Sequence, residues 1–262
     1  NSRWDIIDLV RACYALRPEG IEWPLREDGS PSFKLELLTA ANGIDHGQAH
    51  DALADVRATI ALARLIKEKQ PKLFDYAFSL RQKAQVIKQI NLQQLTPLVH
   101  VSSKIPASQG CCTWILPVAQ HPSNPNAIIC VDLSKDPQAI LNENAETLRS
   151  LLYARQESFE EGQQRPGIKL IHINRSPFIT TAKALTEDNA DRLGLNRDQC
   201  LENYKRLAED NAWRDTLIEL YNEPHEDSEV DADHALYSGG FLTNEEKHWC
   251  DDVRETQPEQ IS

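Results

Sequence analysis

Apolar residues recur at helical spacing over residues 4–16, at Trp4, Ile7, Leu9, Val10, Cys13 and Tyr14, and the pattern breaks at Arg17-Pro18-Glu19-Gly20. That period predicts an amphipathic helix, followed by an irregular connection through Pro24, Asp28-Gly29 and Ser30-Pro31, where Pro and Gly interrupt regular structure. A short helix is predicted over 33–41, stopped by Asn42-Gly43. The longest is predicted over 48–69, with Leu53, Val56, Ile60, Leu62, Ala63, Leu65 and Ile66 as its stripe and Pro71 closing it. No strand pattern occurs here, so a sheet belonging to these helices is expected upstream of Asn1.

A bridging helix over 72–90 leads into short β-like runs at 97–101, 113–116, 127–131 and 168–173, separated by Pro, Ser, Asn and Gly. Such spacing predicts a small barrel or curled antiparallel sheet. A helix over 145–156 and an acidic loop over 157–167 interrupt it. Helices are predicted over 186–193, 197–209 and 212–222, then an acidic linker over 223–234 and the opening of another helical unit over 238–261. The resulting division is 1–70, 71–225 and 226–262.

Composition narrows the class. With 262 residues, 40% hydrophobic and 26% charged, the chain reads as globular rather than disordered. No stretch approaches the roughly 18 apolar residues of a membrane helix, and there is no secretion signal, so a cytoplasmic protein with no membrane partner is expected. Six cysteines, at Cys13, Cys111, Cys112, Cys130, Cys200 and Cys250, have no C-x-x-C spacing, which predicts reduced, buried thiols rather than a zinc site. The absence of methionine and an opening already inside a helical pattern predict an internal fragment.

Net charge is −12 overall, but −2 over residues 1–70, +4 over 71–185 and −14 over 186–262. The basic middle is where a polyanion would bind.

The densest candidate chemistry is AHDALAD at 49–55. His50 just before a helix and Asp55 one turn inside it can face one cleft, placing a titratable base beside a hard anionic ligand. Spacing alone leaves three readings open. One is two-metal phosphodiester hydrolysis, with His50 taking the proton of the attacking water. A second is an HD-type phosphohydrolase, for which His46 is poorly spaced. The third is a helix N-terminus complemented by Asp51 and Asp55.

Longer stretches carry a resemblance. NSRWDIIDLVRACYALRPEG (1–20), PSFKLE (31–36), ANGI (41–44), HDALAD (50–55), PLVHVS (97–102), HIN (172–174) and ADRLGLNR (190–197) resemble the bacterial exodeoxyribonuclease I family. These are DEDDh, DnaQ-like 3′-to-5′ single-strand DNA exonucleases, and the likeness covers nearly the whole chain. It implies an α/β fold: the C-terminal part of a DnaQ-like (RNase H-like) exonuclease domain, an SH3-like barrel with helices, and the start of a helical C-terminal domain.

By that resemblance His50 is the general base and Asp55 the metal-binding carboxylate of the third exonuclease motif, in a centre that takes two Mg²⁺. The family's Asp-x-Glu and second acidic motif are not in this sequence. Asp5 and Asp8 fall in the following helix, so the chain alone is expected to be inactive. The resemblance also implies single-stranded DNA contacts at Arg11, Lys34, Lys83, Asn126, Lys169 and Asn174, Lys34 standing where the family places an Arg. A pocket for the C-terminal tail of single-stranded DNA-binding protein is implied at Arg17 and Tyr76, with Thr96 where the family often has a lysine. Trp114 is expected to be core, and a monomer is implied. The competing expectation is a module that binds DNA or the tail and hydrolyses nothing.

Overall fold

Helix α1 (Ile7–Leu16) buries Leu9, Val10, Ala12, Cys13, Ala15 and Leu16, and the surface it covers is a sheet formed by residues far along the chain. The structure is a computed structural model that describes residues 4–45, 52–155, 157, 159, 164–222 and 242–256. After α1 come α2 (Leu35–Ala41), α3 (Ala52–Lys69), α4 (Pro71–Ser79) and α5 (Lys83–Gln89). Strands β1 (Leu98–Val101), β2 (Cys112–Gln120) and β3 (Ala127–Asp132) precede α6 (Gln138–Asn142) and α7 (Ala145–Tyr153). Strands β4 (Ile168–His172) and β5 (Phe178–Thr181) then lead to α8 (Glu187–Arg192), α9 (Arg197–Ala208) and α10 (Ala212–Leu220).

The strands form one antiparallel sheet in the order β4-β3-β2-β1-β5. It is an antiparallel sheet, as expected for the middle of the chain, and α1 packs against β1, β2 and β5 while α10 packs against β2.

Three expectations need correction. The bridging helix is two helices, broken at Leu80–Gln82. Positions 80 and 86 lie about 240° apart on a straight helix, so Leu80 and Val86, both buried, enter the core together only because the axis turns between them. Strand β2 extends beyond the predicted 113–116 through Pro117. Its β1 partners end at Ile115, and its pairing with β3 shifts register between Pro117 and Ala119, so the missing N–H falls at a bulge. Strand β5 was not predicted. It is a short edge strand, pairing Val101 with Phe178 and Leu98 with Thr181.

The α3 stripe divides. Ala58, Leu62 and Ile66 are buried, while Leu53, Val56 and Ile60 are 55%, 54% and 45% exposed. Cys13, Cys111, Cys112, Cys130 and Cys200 are buried free thiols, and Cys250 is exposed. Burial pushes Cys13 and Cys112 up to about 12, consistent with reduced, unreactive side chains. Trp114 is core. No helix among the described residues is long and apolar enough to cross a membrane.

Residues 1–223 form one unit and 224–262 a second. In the second, α11 (Asn244–Glu255) opens with a reciprocal cap: Glu246 N–H donates to Thr243 Oγ1 at 3.2 Å, and Thr243 N–H to Glu246 Oε2 at 2.7 Å.

His100, in β1, is buried, with Nδ1 3.0 Å from the Phe178 carbonyl of β5. Burial holds its pKa below the ordinary 6.5, outweighing that hydrogen bond. The unfolded chain therefore takes up the proton first as pH falls, so the stabilising effect is complete above about 6.5 and is lost below it. Thermal melts are expected to show a fall in Tm on acidification through that range, and a smaller fall in His100→Gln. Equal falls in the two proteins would remove His100 as the cause.

Candidate nucleic-acid interface

Two basic clefts lie in the first unit. One, of about 580 Å³, runs between the α1–α2 region and the β1–β2 connection and is lined by Arg11, Arg26, Phe33, Lys34, Lys104 and Cys111, among others. Arg11 projects from the middle of α1. Its Nη1 donates to Asp8 Oδ1 at 2.6 Å, and its guanidinium carbon lies 6.0 Å from the Phe33 ring centre. Lys34 occupies the N-cap of α2 and makes no side-chain cap, a position where a cation faces the positive helix end and adds nothing to stability.

The second cleft, of about 510 Å³, is lined by Lys169 and His172 of β4, Arg175 beyond it, Lys104, Arg165, Tyr153 and Tyr221, with Asp8 as its carboxylate. Asp132 is 4% exposed and accepts from Thr113 Oγ1 at 2.6 Å and Ser134 Oγ at 2.7 Å. Its other oxygen lies 3.6 Å from Lys169 Nζ, so a buried carboxylate orients this lysine. Burial, then Arg175, holds His172 below its ordinary pKa, leaving it neutral near pH 7.

Of the six residues proposed from sequence to touch DNA, Arg11 and Lys34 share the first cleft and Lys169 lines the second. The other three come together at one end of the sheet. Lys83 Nζ donates to Asn126 Oδ1 at 2.6 Å, and the Asn126 carbonyl accepts at 2.9 Å from the N–H of Ile173, the residue before Asn174. Arg26, Lys104, Arg165 and Arg175 were missed. Each sits in a loop with no periodicity to single it out, and only the basic excess over 71–185 hinted at the last three.

Arg17 and Tyr76 converge on β5 and its following turn. Arg17 Nη1 donates to the Ala184 carbonyl at 3.2 Å and also to that of Leu16. Tyr76 Oη donates to the Ile179 carbonyl at 2.7 Å, and its ring meets Phe178 edge-on at 6.0 Å. The Tyr76 hydroxyl is thus committed within the protein, and its ring is what remains to offer a ligand. Thr96 is exposed.

Asp55 lies half-exposed in the first turn of α3, its carbonyl accepting from Thr59 Oγ1 at 2.8 Å. His50 lies outside the described residues. Among the described residues no group of three or more His, Cys, Asp or Glu side chains could hold a metal ion. Asp55 has the chemistry of a hard-cation ligand, but one carboxylate does not make a site, and no catalytic step through a metal follows from these residues.

A family model described as the exonuclease I SH3-like domain matches residues 81–223, more than half the chain. Exodeoxyribonuclease I of Escherichia coli (strain K12) is 45% identical over 261 residues, covering 100% of this chain and 55% of that protein. Its solved structure with a dA16 oligonucleotide superposes with a TM-score of 0.90 at 44% identity, over 100% of this chain and 56% of that one. An SSB/exonuclease I structure with the inhibitor CFAM matches with a TM-score of 0.83 at 44% identity, over 100% and 54%. The chain spans about half the length of the curated relatives it matches. With the SH3-like sheet, its flanking helices and the basic clefts agreeing with these similarities, the chain belongs to the exonuclease I family.

Proposed function

We propose that this chain is the DNA-guiding part of an exodeoxyribonuclease I that degrades single-stranded DNA processively from its 3′ end to 5′-mononucleotides, in DNA repair and recombination. The observation that carries this reading is electrostatic. On a chain of net charge −12, two clefts gather the cations Arg11, Arg26, Lys34, Lys104, Arg165, Lys169 and Arg175. The carboxylate of the second, Asp8, is already paired with Arg11. Such a surface suits sequence-independent phosphate contact.

In this reading Arg11, Lys34, Lys83, Asn126, Lys169 and Asn174 hold phosphate and sugar. His50 acts as general base on the attacking water. Asp55 supplies one carboxylate of a two-Mg²⁺ centre whose other acidic motifs are not in this sequence. Arg17 pairs with the terminal carboxylate of the SSB tail and the Tyr76 ring flanks its last aromatic side chain. Residues 1–70 form the end of the nuclease domain, 71–225 the SH3-like DNA-binding part and 226–262 the start of the helical domain of a cytoplasmic monomer.

The test is to incubate a 5′-labelled single strand with the protein, with and without Mg²⁺, and size the products. Mg²⁺-dependent shortening from the 3′ end, with duplex resistant, is expected of the complete enzyme. A second reading, a module that binds the strand or the SSB tail without cutting, draws on the same cationic clefts, which suit binding whether or not the strand is cut. It predicts retarded but full-length strand.

A further inference from the structure

Lys104 lines both clefts. Its ammonium can therefore meet a polyanion lying in either cleft, and the residues around it decide how the strand is held. On the first-cleft side, Arg11 is drawn to Asp8, and Lys34 offers a single ammonium that cannot fork onto two oxygens.

Arg26 is different. It is exposed and starts a tight turn in which its N–H donates to the Ser30 carbonyl at 2.8 Å and its own carbonyl accepts from Gly29 N–H at 3.0 Å. Of the two acids within that turn, Glu27 and Asp28, Asp28 is engaged by Ser30 through N–H at 2.9 Å and Oγ at 2.6 Å. These bonds, and after them the nearby Arg26 charge, hold its carboxyl below the usual range. The turn's hydrogen bonds are thus supplied by backbone and Ser30, and the Arg26 guanidinium acts on Asp28 through its charge, with no ion pair formed. Neither Arg26 nor Lys104 makes an ion pair among the described residues. Two such cations, brought to one cleft from separate parts of the chain beside Arg11 and Lys34, repel one another, and a polyanion lying in the cleft relieves that repulsion.

We propose that Arg26 and Lys104 bind the phosphodiester backbone of a single strand in the cleft they share, Arg26 through a two-oxygen contact and Lys104 as a point charge. This rests on the single-strand reading above and adds two contacts that the family resemblance did not supply.

The experiment is fluorescence anisotropy of a labelled oligothymidylate across a series of salt concentrations, in chelator so that no hydrolysis intervenes. It uses the unaltered protein, R26A, R26K, K104A, the R26A/K104A pair, K169A, and K205A as an exposed cation lining neither cleft. Each single alanine variant at Arg26 or Lys104 should weaken binding roughly tenfold and reduce the slope of log K against log salt by about 0.7, the double variant by about twice that. R26K should restore the slope while leaving affinity reduced, and K205A should change neither. Unchanged affinity and slope in R26A and K104A, alongside losses in K169A, would overturn the proposal and leave the single-strand reading standing. Full affinity in R26K would overturn the two-oxygen contact. No binding by the unaltered protein would overturn the single-strand reading and this proposal with it.

Discussion

In the complete enzyme, Asp55→Ala is expected to reduce nucleotide release by on the order of 10³-fold while single-strand affinity in chelator stays within a few-fold. The size of the effect separates two roles for this side chain. A carboxylate in the first turn of α3 that only complements the helix dipole contributes about 0.3–1 kcal/mol to stability. Its loss would lower Tm slightly and leave kcat nearly unchanged. A carboxylate that helps to hold a catalytic cation contributes several kcal/mol of charge stabilisation, which at about 1.4 kcal/mol per factor of ten gives the loss stated. His50→Ala should lower kcat by roughly 10²–10⁴-fold, the range for a positioned proton acceptor, and should also remove the acid limb that a general base gives the pH–rate profile. Single-turnover rates with a short oligothymidylate measure both variants. Either one retaining kcat within tenfold of the unaltered enzyme would remove that residue from the proposed chemistry.

Elements with a long, undivided period were legible in the sequence. The α1 stripe announces itself because it buries a continuous face, the stretch that becomes α3 because its period is long even though only Ala58, Leu62 and Ile66 of it are buried, and the apolar runs of β3 and β4 stand between clear turn signals. What escaped lacks that property. Strand β5 has two buried residues followed by half-exposed and exposed threonines, too short a run to show alternation. The break between α4 and α5 contains neither Pro nor Gly, so no local signal marks the turn at which Leu80 and, beyond it, Val86 are buried. At the interface, Arg11 and Lys34 came from resemblance and proved to share a cleft. Arg26 and Lys104 belong to that cleft only through the packing of the α1–α2 connection against the β1–β2 connection, a tertiary relation that neither charge count nor spacing encodes. Lys169 could be read as a basic residue in a strand, but not its orientation by Asp132, which depends on the β3–β4 register that places Cys130 opposite Lys169.

Strand β5 also carries the largest expected stability effect. Phe178 is 2% exposed and among the largest fully buried side chains. Its ring packs edge-on against Tyr76, its carbonyl accepts from His100, and it faces Val101 across the β1 ladder. Phe178→Ala leaves the backbone hydrogen bonds possible but opens a cavity where α4, β1 and β5 meet. Truncations of this kind cost about 3–5 kcal/mol, which for a unit of this size corresponds to a Tm lowered by roughly 10 °C. Leu201→Ala, at an exposed position on α9, should change stability by less than about 0.5 kcal/mol. Because Tyr76 rests on the same ring, a fluorescent SSB-tail peptide should also bind less tightly to Phe178→Ala, measured well below its melting temperature. Phe178→Leu, which refills most of the space, should recover most of the stability and of the peptide binding. A loss below about 1 kcal/mol in Phe178→Ala would mean that β5 is held by its ladder alone. Undiminished peptide binding in a clearly destabilised variant would separate the tail pocket from the packing beneath it.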